Sequence, residues 1–251
     1  MWKNNCIFAA RKNKKNKNMK QIILLFAACA LFFGCTKDYG NPTTQDYPIN
    51  GDYTCLSVSH AFEVTVSDQA TTASVTVGER AHDRVEVYVK NGTLHIGFKL
   101  GTIYTGTAKA VIPANANICE LDLSGASSFN GNLNGNDVDI DLSGASTYSG
   151  TVTATDIDID LSGASVATMH GSCQNTMEMG LSGASELFAS NLTTQVVKGD
   201  MSGASKADVT CCTSLNVTLS GASELTYGTV SGSCNPTVNC PTSGGSSVTR
   251  R

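Results

Sequence analysis

Charge is what this chain has least of. Asp, Glu, Lys and Arg make up 15% of it, against roughly 25% in an average soluble domain. The net charge is −4, and without clustered Lys and Arg there is nothing to neutralise phosphates, which excludes nucleic acid as a partner. No paired Cys-x-x-Cys occurs, and the four histidines (His60, His82, His95, His170) are scattered, so no metal signature is present. Helical periodicity is absent beyond the N-terminal leader. The one sustained apolar run, from Ile22 to Phe33, falls short of the roughly 20 residues of a membrane-spanning helix.

That run follows Arg11, Lys12, Lys14, Lys15, Lys17 and Lys20, and a basic stretch before a short apolar core reads as a secretory signal peptide. Leu31-Phe32-Phe33-Gly34-Cys35, followed by polar Thr36-Lys37-Asp38, resembles a bacterial lipobox. Cys35 is the expected lipid-attachment residue and the new N-terminus. Cys29, after Ala27-Ala28, is a rival that leaves a shorter apolar core. Residues 1–34 are thus leader, with a true start possible at Met19, and 35–51 a lipidated N-terminus and polar tether. Seven cysteines follow Cys35. An envelope address permits disulfides, and an odd count leaves one thiol over; Cys234 and Cys240 are the candidate bridge.

What the chain has in abundance is repetition. Ser-Gly-Ala-Ser, preceded by Leu or Met, opens at Leu123, Leu142, Leu161, Leu181, Met201 and Leu219, in steps of 19, 19, 20, 20 and 18 residues. Two residues earlier stand Leu121, Ile140, Ile159, Met179, Gly199 and Val217, and six residues later Phe129, Tyr148, Ala167, Leu187, Ala207 and Leu225. Each period offers about three short inward-facing pieces, and so short a unit buries them only by stacking on its neighbours. The fold class expected is all-β: a right-handed parallel β-helix of about 19-residue turns over 119–251. Thr242-Ser243-Gly244-Gly245-Ser246 reads as a degraded seventh copy capping the end. Residues 52–118 alternate apolar with polar, the period of half-buried strands, and Asn91-Gly92 marks a hairpin.

The leader, Asn91-Gly92-Thr93-Leu94-His95-Ile96, Ala110-Val111-Ile112-Pro113 and the tandem Leu-Ser-Gly-Ala-Ser copies together resemble the auto-transporter adhesin "head GIN domain" family, over about residue 52 to the C-terminus. The resemblance implies a β-helical lipoprotein of the Bacteroidetes envelope, surface-exposed or periplasmic, and it carries over no catalytic or ligand residue.

The sharpest chemical pattern is acidic. Asp137, Asp139 and Asp141 lie one turn from Asp156, Asp158 and Asp160, with Glu120 and Asp122 a turn earlier. Stacking brings these carboxylates within about 5 Å of one another, where they repel. A bound Ca²⁺ would relieve them; so would splaying into solvent, the preferred reading. Twelve serines occupy the pentapeptides with no base partner in an evident motif, so they read as bend and inter-turn hydrogen bonders. No catalytic residue, cofactor or metal is assigned. The expectation is a non-enzymatic outer-membrane lipoprotein, held by palmitate-type acylation, acting as an adhesin-like module toward a host or extracellular glycan or protein. A structural spacer without a ligand is the alternative, and a polysaccharide-active β-helix enzyme the less favoured third.

Overall fold

The computed structural model describes residues 38–230 and 234–251. Leader residues 1–34, the alternative start Met19 and the expected lipid site Cys35 lie outside the described residues. Among the latter, no helix is long and apolar enough to cross a membrane. The first strands are β1 (Pro42–Tyr47), β2 (Cys55–Val58), β3 (Phe62–Ser67), β4 (Ala73–Gly78), β5 (Val85–Lys90), β6 (Thr93–Phe98) and β7 (Ala108–Pro113). The repeat region follows as β8 (Glu120–Leu123), β9 (Ser128–Asn130), β10 (Leu133–Asn134), β11 (Asp137–Leu142), β12 (Thr147–Ala154), β13 (Asp156–Leu161), β14 (Val166–Cys173) and β15 (Thr176–Leu181). The last strands are β16 (Glu186–Met201), β17 (Lys206–Leu219), β18 (Glu224–Gly228), β19 (Thr237–Asn239) and β20 (Ser247–Arg250).

Successive turns pair in parallel, one period apart, and the protein is a parallel β-helix. Leu121 stacks under Ile140, Ile159, Met179, Gly199 and Val217, and Phe129 under Tyr148, Ala167, Leu187, Ala207 and Leu225. The third inward piece appears as a separate β10 in the first turn and merges into longer strands later, with Leu133, Val152, Gly171 and Leu192 in one column. Except for the glycines, these columns are buried, so each turn's apolar residues are covered by the turns above and below.

The pentapeptide makes the corner, and its two serines do different work. The second is fully buried. In the copies at Ser127, Ser146, Ser165 and Ser223 it closes the bend on itself, as where Ser146 Oγ donates to Ser143 O at 2.7 Å and Ser165 Oγ to Ser162 O at 2.6 Å; Ser185 Oγ instead donates to Leu161 O of the turn beneath at 3.4 Å. The first reaches, at longer range, to the preceding turn, as Ser162 Oγ does to Leu142 O at 3.4 Å. Backbone bonds knit the corners more tightly, with Ala164 N–H donating to Gly144 O at 2.7 Å. The seventh copy is present: Thr242 bridges Leu219 in parallel, and Gly245 N–H donates to Gly221 O at 2.7 Å.

The strands before Leu121 belong to the same solenoid but are threaded out of order. Both β2 and β3 lie against β8 and β9, with Val58 paired to Leu123 and Val64 to Phe129. Val58-Ser59-His60-Ala61 is therefore a diverged copy of the corner, with His60 at φ 62° where the other copies have glycine. Beyond it lie β6 and β7, also parallel, and the open end is closed by antiparallel β5 and β4. The β5–β6 hairpin turns at Asn91-Gly92, both at positive φ as a tight two-residue turn requires.

Two expectations are corrected. Pro42–Tyr47, read as tether, is an edge strand antiparallel to β4, and Tyr39 is buried against the fold. Its sequence shows no alternation because nearly all of the strand is exposed. The disulfide joins Cys212 to Cys234, with Cα atoms 4.7 Å apart, and not Cys234 to Cys240. Cys240 takes the inward position paired with Val217, following the register Asn216–Asn239, and packs on the core.

Candidate functional site

The acidic residues form a ladder on the outer face of the first strand of each turn. One column runs Glu120, Asp139, Asp158, Glu178 and Lys198; its neighbour runs Asp122, Asp141, Asp160, Gly180 and Asp200. At a rung spacing of about 4.8 Å neighbouring carboxylates repel, and the effect shows at three of them. Desolvation first, then Asp141, Asp158, Glu120 and Asp160, push Asp139 up to about 6. Asp122 and Asp158 are raised in the same direction, again chiefly by desolvation. Charge relief comes at the far end, where Lys198 Nζ stands 2.9 Å from Glu178. Among the described residues no three His, Cys, Asp or Glu side chains converge as a metal site.

The regular stacking breaks in the first turn. Pairing of β3 with β9 ends at Thr65 and Asn130; past it, Gly131-Asn132 separates β9 from β10, which pairs only with β12. On the other side, the chain turns away after Ser67 and again after Pro113. The third piece of this turn therefore has no β-strand beneath it, only the loop before β8, whose Ile118 O accepts from Asn134 N–H at 2.8 Å, and beside this loop opens a cleft of about 590 Å³. Its apolar lining is Val66, Ile118 and Leu133, and its polar lining is Asn115, Asn130, Asn132, Asn134, Thr151, Thr153 and Asp68.

Three of the amides are oriented by the backbone. Asn115 Nδ2 donates to Tyr53 O at 2.8 Å while its Oδ1 accepts from Asn117 N–H. Asn132 Oδ1 accepts from Thr151 N–H at 3.2 Å, and Asn134 Nδ2 donates to Ala116 O at 3.4 Å. The Nδ2 of Asn132 and the Oδ1 of Asn134 make no hydrogen bond among the described residues. Apart from Asp68, the cleft's polar groups are neutral donors and acceptors around an apolar floor, which suit a hydroxyl-rich, uncharged ligand. No His, Cys, Lys, Arg or Ser lines the cleft; the hydroxyl in the lining that meets a base is that of Thr151, 2.9 Å from His170 Nε2, and among the described residues no group is hydrogen-bonded to the other ring nitrogen of His170 to orient it.

A second, smaller hollow of about 230 Å³ gathers Ser59, His60, Glu86, Tyr88 and His95. Two of the histidines that look scattered in sequence thus converge. Ser59 Oγ lies 2.7 Å from His60 Nδ1, which also accepts from Phe98 N–H at 3.4 Å, and His95 stacks on Tyr88 at 4.9 Å. Among the described residues no carboxylate is hydrogen-bonded to the His60 ring, so the pair lacks the third group that orients a catalytic base. His82 is buried between Thr43 and Tyr47, and His170 bonds Thr151 at 2.9 Å.

The sequence profile of the family described as "Putative auto-transporter adhesin, head GIN domain" matches residues 52–230. The chain belongs to this family. The same fold is seen in solved structures similar to it. One is described as a "putative adhesin" from Bacteroides fragilis, with a TM-score of 0.71 at 16% identity over 84% of this chain and 97% of that one. Another "putative adhesin", from Parabacteroides distasonis, gives 0.61 at 18% over 84% and 98%. A "Putative lipid binding protein" from the same species gives 0.58 at 20% over 84% and 97%. At such identities the likeness is one of fold. No curated protein matches the chain significantly. The family's adhesin label suggests a cell-surface or envelope location.

Proposed function

We propose that this head GIN domain protein is a lipid-anchored, non-enzymatic binding module of the cell envelope, and that its ligand is a neutral glycan held in the asparagine-lined cleft. The cleft carries the reading. It is the place where the repeat breaks, its amides are pre-oriented, and its lining is polar without Lys, Arg or His. Planar amides offer paired donors and acceptors that match vicinal hydroxyls, and the apolar floor accepts the less polar face of a sugar ring. Palmitate-type acylation at Cys35 would fix the module to the outer membrane, and the stacked turns would supply rigidity.

The test is binding of the purified full chain to an array of neutral and anionic oligosaccharides. Retention of neutral glycans supports the reading. Retention of anionic glycans alone, turnover of any glycan, or no retention at all contradicts it; the last result would leave the rigid spacer as the function.

A further inference from the structure

The connection between β6 and β7 carries the two most exposed large apolar side chains among the described residues, Leu100 at 99% and Ile103 at 79%. Single exposed leucines are ordinary; these two share one loop, and the loop is held in shape. Thr102 donates its N–H and Oγ1 to Lys99 O at 3.1 and 2.6 Å. The Tyr104 ring packs on Phe98 and Tyr39, with centroids 4.9 and 5.1 Å away, and its hydroxyl accepts from Gly78 N–H at 2.8 Å. Tyr39 donates its own hydroxyl to Ile103 O at 3.0 Å. A loop braced at so many points presents its apolar tip outward and does not fold it back on the protein.

We infer that this end of the solenoid sits directly on a lipid bilayer, with Leu100 and Ile103 entering the interface as a second, non-covalent contact. The inference rests on lipidation of Cys35. Only three residues, Thr36, Lys37 and Asp38, separate Cys35 from Tyr39, and the four residue steps reach at most about 14 Å. Because Tyr39 is buried against the braced loop, no longer tether intervenes between the acyl chains and Ile103.

Charge placement agrees. Lys99 and Arg84 meet at the base of the loop, Lys99 N–H donating to Arg84 O at 2.8 Å, where cations suit the headgroup region; Asp83 there is paired with Arg84 at 3.8 Å. The acidic ladder starts only at Glu120 and Asp122. Toward the membrane end, its two columns continue as Cys55 and Thr93, and as Ser57 and His95. The rungs nearest the bilayer thus carry no carboxylate in those columns.

The test places an indole at the tip. The chain's single tryptophan, Trp2, lies in the leader expected to be removed, so Leu100→Trp supplies a unique reporter at a fully exposed position. The full chain, expressed with its leader in a bacterium that processes lipoproteins, is reconstituted into phosphatidylethanolamine/phosphatidylglycerol vesicles with and without brominated acyl chains. Quenching by bromolipid of about twofold or more is expected for Leu100→Trp, and none for Val238→Trp at the opposite end of the solenoid. Mass spectrometry of the N-terminal peptide reports acylation of Cys35 independently. Acylated protein with an unquenched Leu100→Trp indole overturns the bilayer seat and leaves the lipid anchor standing. Equal quenching of both variants also overturns it, and an unacylated Cys35 removes anchor and seat together.

Discussion

At the corner of each turn a single backbone conformation is repeated, and it sets which residues the corner admits. Gly183 has φ +73°, and a Cβ there would lie 2.5 Å from the Gly163 carbonyl oxygen of the turn beneath. Gly101 has φ +81° with nothing within 4 Å. Gly183→Ala should therefore cost about 3 kcal/mol, left-handed strain plus a contact the stacked backbones cannot relieve, whereas Gly101→Ala should cost about 1 kcal/mol. Denaturant unfolding of the two variants distinguishes these; equal losses would mean that the stacking contact adds nothing. The roles of the pentapeptide are legible in sequence because each residue recurs at a fixed spacing. The copy at Val58 is not, since His60 and Phe62 occupy the places of Gly and the second Ser, and only Ser59 and Ala61 survive.

Among the elements, the acidic ladder is where stacking and electrostatics conflict. Asp139 is raised from an ordinary value of 3.8 to about 6. A carboxyl whose folded pKa exceeds its unfolded one favours the native state when protonated. Its contribution is fully present below about pH 4 and is lost as pH rises through about 6. The melting temperature should accordingly be higher at about pH 5 than at about pH 7, and Asp139→Asn should raise it at the higher pH while flattening the dependence. A fall in melting temperature on acidification to pH 5 would contradict this. At the other end of the molecule, the Cys212–Cys234 disulfide closes a loop 22 residues apart. Cys212→Ser should cost about 3 kcal/mol, with hydrogen exchange accelerated first in β18 to β20. The acidic columns follow directly from the period. The disulfide does not, because pairing depends on how the chain leaves β18, and the solvent-exposed β1 gives no alternation to read.

The whole described molecule is a stack with unlike ends, closed at its start by antiparallel strands and at its finish by a degraded copy and a disulfide. Its regular turns were readable from spacing alone. The cleft was not, because it arises from the out-of-order threading of β2, β3, β6 and β7 beneath the first turn, a long-range arrangement with no local signature. Residues such as Asn130, Asn132 and Asn134 look like ordinary turn asparagines until the loop that replaces a strand beneath them is seen. The central claim is that the repeat is scaffold and specificity sits where it breaks. Neutral-glycan affinity tests this most directly, measured on the full chain as wild type, as Asn132→Ala in the cleft and as Asp158→Asn on the ladder. Asn132→Ala should weaken binding about tenfold, the equivalent of roughly 1.4 kcal/mol, and Asp158→Asn should leave it unchanged; the reverse order, or full binding by Asn132→Ala, would contradict the account.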